Sequence, residues 1–357
     1  MSEAGPRSDA VWSAQGTTPD AIEAALRQLL IEVHTENDNY VPARVLNMIA
    51  FVDREWSGEI ANRLRGVGRY HASRLVVLAY EPKRERLDAR VMITSDGESS
   101  PGEIALLHET VVVELGDRHL DDLLTIADPL VVTDLPTLLW SPHGHHEIVA
   151  ELLALSQAVL LDSVEEPSVK EALDRACSLS EQAYVVDLAW LRSTPWRERL
   201  AASFDPPQLR RELPTITSLT VRHHPASTVA AMLLAGWLAS RLGWTAAPLL
   251  AHGDALAGKA HVSRQDVGLR LEAAPELLVP GLEGLTIETA SGRSLRLDRG
   301  PGGLHARTHS PRGDEHAWTI PGASRGETGV LGEGIRQALL RDPTYVPALK
   351  AARAMAS

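Results

Sequence analysis

Apolar positions along this chain fall into two recurring patterns that alternate for most of its length. Ile22, Leu26, Leu29, Leu30 and Val33 recur at helical spacing behind Thr18-Pro19-Asp20. There Thr can cap, Pro suits the first turn and Asp faces the positive end of the dipole, so a helix is predicted. Val45 to Val52 is a near-continuous apolar run of strand length, as for a strand covered on both faces. Ile60, Leu64 and Val67 then mark a short helix, and Leu75 to Tyr80 a second strand, which together read as a βαβ unit with parallel strands. Ala89–Thr94 and Thr110–Leu115 read as an antiparallel pair. Leu120, Leu123, Leu124 and Ala127 mark a helix, and Leu135–Trp140 and Ala158–Asp162 two further strands with a helix from about Glu147 to Leu155 between them.

A second block begins near Pro167. Val169, Ala172, Leu173 and Ala176 line one helix, and Thr194-Pro195 opens another. Thr217–Arg222 is strand-like, and Ser227–Leu242 is a helix apolar nearly all round, hence central, stopped by Gly243. From Lys259 to Pro321 alternating strands are separated by Gly-containing turns. A Gly-rich connector (Gly326, Gly329, Gly332, Gly334) precedes two closing helices, the last capped by Asp342-Pro343. The expected fold is α/β: two mixed-sheet α/β domains, the second ending in an antiparallel β region and two C-terminal helices. The boundaries read as a disordered 1–17, an N-terminal domain 18–165 and a C-terminal domain 166–357 with its β-rich segment at 259–321 and closing helices at 330–355.

At 357 residues the chain exceeds one ordinary domain of roughly 150 residues. Its net charge of −12 repels a phosphate backbone, so no nucleic-acid partner is expected. The longest apolar run, Val229–Ala239, falls well short of the ~20 residues of a membrane span, and the opening residues hold no apolar signal-like run. A cytoplasmic protein without membrane partner is the expectation. Cys177 alone excludes an internal disulfide or a Cys-rich zinc site. The aromatic balance is unusual, with eight Trp, five Tyr and two Phe.

Candidate chemistry is thin. Gly322-Ala323-Ser324-Arg325-Gly326 has the nucleophile-elbow spacing, but no histidine follows it, so the triad order fails. His143, His145, His146 and Glu147 could in principle hold a metal, yet both His-Glu pairs lack the second histidine of HExxH, Val112 and Ala150 standing there. An exposed polar loop accounts for the cluster, and no metal or cofactor is expected. Gly326–Gly334 could cradle an anion, a connector being favoured. Ser73-Arg74 and Glu165-Glu166 read as solvated surface. Trp190, Arg192, Trp196 and Arg197 crowd one segment. These are residue types of binding hot spots, though packing of a sheet against its helices is the favoured reading of each indole.

Several segments resemble, in order, those of the OpcA family, the assembly or activator proteins of glucose-6-phosphate dehydrogenase. They are NMIAFVDREW with RYHASRLVVLAYE, LLHETVVVEL, IADPLVVTDLPTLLWSPHG, AVLLDSVE, DLAWLRSTPWRERLAASFDP, HPASTVAAMLLAGWLASRLGW and LLRDPTYVPAL. Departures stand at Ala72, Ser141 and Gln157-Ala158. The resemblance covers about residues 20 to 350. It implies a non-catalytic protein that binds glucose-6-phosphate dehydrogenase, with contacts sought at Trp140, His143, Trp190, Arg192, Trp196 and Arg197. Redox control through paired cysteines, which the resemblance raises, is incompatible with a single Cys177. The alternative is an α/β enzyme acting on an anionic small molecule through the His143–His146 loop or the Gly326–Gly334 turn.

Overall fold

The computed structural model describes residues 10–36, 40–42, 44–68, 73–95, 105–321 and 327–356. From the amino end, β1 (Ala10–Ala14) leads to α1 (Pro19–Glu36), β2 (Tyr40–Val41), β3 (Leu46–Asp53), α2 (Ser57–Gly68), β4 (Ser73–Tyr80), β5 (Asp88–Ser95), β6 (Ala105–Leu115), α3 (Leu123–Ala127), β7 (Thr137–Trp140), α4 (His146–Leu152) and β8 (Ala158–Leu161). Next come α5 (Val169–Ser180), β9 (Tyr184–Asp187), α6 (Leu188–Arg192), α7 (Thr194–Ser203), α8 (Pro207–Arg210), β10 (Ile216–His223) and α9 (Thr228–Leu242). The chain closes with β11 (Thr245–Ala246), β12 (Leu250–His252), β13 (Ala255–Val262), β14 (Gln265–Ala273), β15 (Leu282–Thr289), β16 (Ser294–Gly300), β17 (Gly303–His309), β18 (Glu315–Pro321), α10 (Glu327–Leu340) and α11 (Tyr345–Met355). The architecture is α/β with two mixed sheets, as the periodicity predicts.

The described chain groups into two compact units, each of three stretches. The first holds Met1–Leu161, Gln182–Val186 and Glu327–Leu340, the second Asp162–Glu181, Asp187–Gly326 and Arg341–Ser357. The sequence reading instead cuts the chain once, between 165 and 166. It also sets 1–17 aside as disordered, whereas residues 10–14 form β1, antiparallel to β5.

In the first unit the strands run in the order β1-β5-β6-β4-β3-β7-β8-β9, with β2 beside β6. β3 pairs parallel with β4 on one side and β7 on the other, and Leu46 to Val52 are buried without interruption. An unbroken apolar run is what a strand covered on both faces needs. β5 and β6 pair antiparallel, as predicted. Helix α1 starts as its sequence dictates: Thr18 Oγ1 accepts from the Ala21 amide at 3.3 Å, and Ile22, Leu26, Leu29 and Val33 are buried. The Gly-rich connector is corrected. Gly329, Gly332 and Gly334 lie inside α10, which packs on α2 and β8, where buried Val330, Leu331 and Ile335 supply the apolar face. Tertiary burial overrides the low helix propensity of glycine there. Ser324 and the rest of the elbow-like sequence lie outside the described residues.

The second unit carries β11-β13-β14-β10-β15-β16-β17-β18, with β12 beside β13, almost wholly antiparallel. Helix α9 packs on β10 and β14, and α11 packs on α9. Gly243 ends α9 in the left-handed conformation at φ 70°. No described helix is long and apolar enough to cross a membrane. The α9–α11 crossing depends on Gly236, where an added Cβ would run into the Ala348 carbonyl oxygen and lie 2.8 Å from the Ala352 amide nitrogen. Backbone atoms cannot step aside, so overpacking should outweigh the helix-propensity gain of alanine. Gly236→Ala is expected to cost about 2 kcal/mol or more, read as a lower urea midpoint; an unchanged midpoint would contradict the packing.

Candidate functional site

The residues singled out from the sequence fall into two clusters, one per unit. In the first unit, β3, β4 and β7 run parallel, with β3 and β4 ending in register at Asp53 and Tyr80 and β7 at Trp140, opposite Ala50. β4 follows β3 on one side and β7 later joins it on the other, so the order in which strands are added reverses at β3 while all three stay parallel. Such a switch point leaves a crevice at the carboxyl ends of the strands.

His143 and His145 enter this place from the loop after β7. The His145 ring nitrogen Nε2 lies 2.9 Å from Asp53 Oδ1, and His143 Nδ1 4.0 Å from Asp53 Oδ2. Gly144 and His145 both take positive φ, 87° and 51°, turning the chain into α4. A histidine held left-handed costs about 1–2 kcal/mol. The Asp53 contact and edge-on packing on Phe51 and Tyr80, with ring centroids at 5.0 and 5.8 Å, offset that cost. Burial lowers the His143 pKa, with Asp53 opposing. The Tyr80 hydroxyl donates to Asp117, which pushes its pKa up to about 12. Trp56, an exposed indole beside the His143 ring, is a site residue that composition alone did not single out. Trp140 is buried, with the Arg63 guanidinium 6.0 Å over its ring. His146 is exposed at the start of α4. Among the described residues no group of three or more His, Cys, Asp or Glu side chains could hold a metal ion.

The second cluster gathers the starts of all three stretches that make up the second unit. Asp187, fully buried at the N-cap of α6, accepts from the amides of Ser163 (3.2 Å) and Ala189 (2.9 Å). It also accepts from the hydroxyls of Ser163 (2.5 Å) and Tyr345 (3.1 Å). Burial pushes its pKa up to about 6 against the pull of those donors. Arg192 pairs with Asp162 at 2.7 Å and keeps a partly exposed side chain. Trp190 is buried, donating its indole N–H to Asp342 at 2.9 Å, with its ring 5.5 Å from that of Tyr345. The Arg197 guanidinium stacks over it, its carbon 3.4 Å from the ring centroid. Arg197 also donates to Ser193 Oγ (3.1 Å), Thr194 Oγ1 (2.9 Å) and the Trp190 carbonyl (3.3 Å). Burial lowers its pKa to about 10, so it stays charged at neutral pH. Burial works to raise the Asp342 pKa, but Thr344, Trp190 and Arg197 hold it below the usual range. Trp196 is buried on α7.

Of the six candidate contact residues, then, Trp140, Trp190, Trp196 and Arg197 are interior. Only His143 and Arg192 present substantial surface. Cation–π stacking and a desolvated ion pair explain why the sequence crowds Trp and Arg there.

A folded pKa for Asp187 above its unfolded value of about 3.9 means that the native state binds the proton more tightly. Its contribution to stability is therefore present in acid and falls as pH rises from about 4 through about 6. Asp187→Asn keeps an acceptor for the two amides, and both hydroxyls can turn to accept from its NH2. Urea titrations at several pH values are expected to show the variant gaining on the parent across that window; a gap independent of pH would contradict this.

The chain matches two family models in sequence order. One is described as the glucose-6-phosphate dehydrogenase subunit N-terminal domain, over residues 65–178, and the other as the C-terminal domain of that subunit, over residues 183–349. It is 28% identical over 141 residues to OpcA of Synechococcus elongatus, named for the OxPP cycle, covering 38% of this chain and 32% of that protein. The OpcA proteins of Synechocystis and Nostoc punctiforme are 29% identical over 120 residues and 32% over 119, covering 25% and 26% of their lengths. The matched stretch thus spans about a third or less of these relatives. Among solved structures, UDP-N-acetylglucosamine 3-dehydrogenase GnnA from Acidithiobacillus ferrooxidans aligns with a TM-score of 0.43 at 9% identity, over 87% of this chain and 98% of that one. A scyllo-inositol dehydrogenase from Lactobacillus casei aligns at 0.44 and 13%, over 88% and 96%. With both domain models matched along most of its length, the chain belongs to the OpcA family.

Proposed function

We propose that this chain is a non-catalytic partner of glucose-6-phosphate dehydrogenase that binds the enzyme and promotes its assembly or active state, in the cytoplasm, at the start of the oxidative pentose phosphate pathway. The observation that carries the reading is the paired match to two domains both described as those of a glucose-6-phosphate dehydrogenase subunit. The names of the OpcA relatives point to the same cycle. An activator needs no chemistry of its own. It needs only to bind the active conformation more tightly, a tenfold preference amounting to ~1.4 kcal/mol of coupling.

His143 in the first unit and Arg192 in the second are the candidate contacts with partly exposed side chains, and Trp140, Trp190, Trp196 and Arg197 are buried. The alternative of an enzyme using a Gly326–Gly334 turn loses its cradle. Gly332 and Gly334 lie beyond the first turn of α10, where their amides bond within the helix.

The test is to assay the purified dehydrogenase of the same organism with and without this protein. A lower KM for glucose-6-phosphate, a higher kcat or a larger oligomer by sedimentation is expected, reduced in a His143→Ala, Arg192→Ala variant. No change in any of the three would overturn the reading.

A further inference from the structure

One row of side chains crosses the first unit's sheet near the amino ends of its parallel strands. Thr137 on β7, Asn47 on β3, Arg74 on β4, Glu109 on β6 and Ile93 on β5 are register partners in succession. Register partners share a face, so Thr137, Asn47, Arg74 and Glu109 form a band of buried polar groups that ends at apolar Ile93. Each such group needs a partner, because an unpaired one costs about 1–3 kcal/mol and a buried charge more.

Asn47 is saturated. Its amide oxygen accepts from the Val132 amide at 2.9 Å, and its nitrogen donates to the Val132 carbonyl at 2.9 Å and Thr137 Oγ1 at 3.2 Å. Glu109, with 1% of its side chain exposed, accepts one bond at each oxygen, from Arg44 Nε and from Arg74 Nε at 2.6 Å. The acceptors run out at the arginines. Arg74 has one further bond, from Nη1 to the Leu130 carbonyl at 3.2 Å. Arg44, just ahead of β3, has none beyond Glu109. A guanidinium offers five N–H donors. Here both Nη nitrogens of Arg44 and Nη2 of Arg74 are left without a protein acceptor among the described residues. Among the described residues charge is unbalanced in the same sense, two guanidinium groups facing one carboxylate. Arg74 is 10% exposed and Arg44 22%, and none of these Nη nitrogens is a buried unpaired atom, so a small solute can reach them.

We propose that Arg44 and Arg74 form a binding site for a small oxyanion, a phosphate or carboxylate group, held by their outward Nη donors with Glu109 as the fixed anchor. Both groups accept paired N–H bonds from a guanidinium fork, which lysine cannot supply. The site lies at the amino ends of the strands and owes nothing to the Asp53 crevice at their carboxyl ends.

Isothermal titration of the full chain with inorganic phosphate, and separately with acetate, at ionic strength fixed by sodium chloride, tests it. Saturable binding of at least one anion is expected, weakened tenfold or more in Arg44→Gln. Phosphate alone binding assigns a phosphorylated ligand, and acetate alone a carboxylate. Arg44 lies outside every strand, and far-UV circular dichroism checks that the variant is folded. Arg44→Lys, which keeps the charge and loses the fork, provides a second variant expected to bind more weakly than the parent. Absence of saturable binding of either anion to the parent, or undiminished affinity in the folded variants, would overturn the site.

Discussion

The Asp187 carboxylate is the constraint on which the second unit turns. That unit is assembled from three separate stretches of chain, and each begins within reach of this one side chain: Asp162-Ser163, Asp187 to Arg192, and Arg341 to Tyr345. Burying a carboxylate costs several kcal/mol unless its lone pairs are met. Four donors from two of those stretches and the start of α6 meet them. The hydrogen bonds that make the burial tolerable are therefore the same ones that fix where the three stretches start. Trp190 and Arg197 depend on that arrangement in turn. Their ring-on-guanidinium stack closes only because Asp342 is brought to the indole N–H and to the edge of the arginine.

Local pattern carried much of the fold. The capped amphipathic α1, the doubly covered β3 and β4 with their crossover, and the all-apolar α9 each announce themselves within a window of ten to twenty residues, because burial of a single element imposes its own period. The misreadings share a cause. Gly329, Gly332 and Gly334 look like a connector until buried Val330, Leu331 and Ile335 are seen against α2 and β8. Arg74 looks like surface until Glu109, 35 positions away, is seen beside it. Each misreading turns on a partner remote in sequence, which periodicity cannot reach. Short elements such as β9, α6 and β11 escape for a related reason, since too few residues repeat to define a face.

The excess of tryptophan has a divided explanation. Trp140, Trp190, Trp196 and Trp244 are buried, whereas Trp56 is exposed beside His143. An indole suits an interior that must be apolar on its faces and still donate one N–H, and Trp190 uses both properties. The segment from Asp187 to Arg197, one of those that resemble the family, is thus rich in Trp and Arg because it fastens the second unit. Within the segments that carry the resemblance, the buried Trp140, Trp190, Trp196 and Arg197 are set apart from His143 and Arg192, the candidates that a partner could reach.

That separation bears on where recognition can reside. A buried cation–π stack contributes to association only through the rigidity of what it supports, since a partner gains no area from side chains it cannot reach. Rigidity has its own value. A surface whose side chains are already ordered avoids about 0.5–1.5 kcal/mol for each long side chain that would otherwise be immobilised on binding. Arg192 illustrates the arrangement: it is partly exposed, yet its guanidinium is held by Asp162, itself next to the Ser163 that fastens Asp187. The interior cluster thereby sets the position of a surface charge, and a change at Asp187 would be transmitted to Arg192 through two adjacent residues.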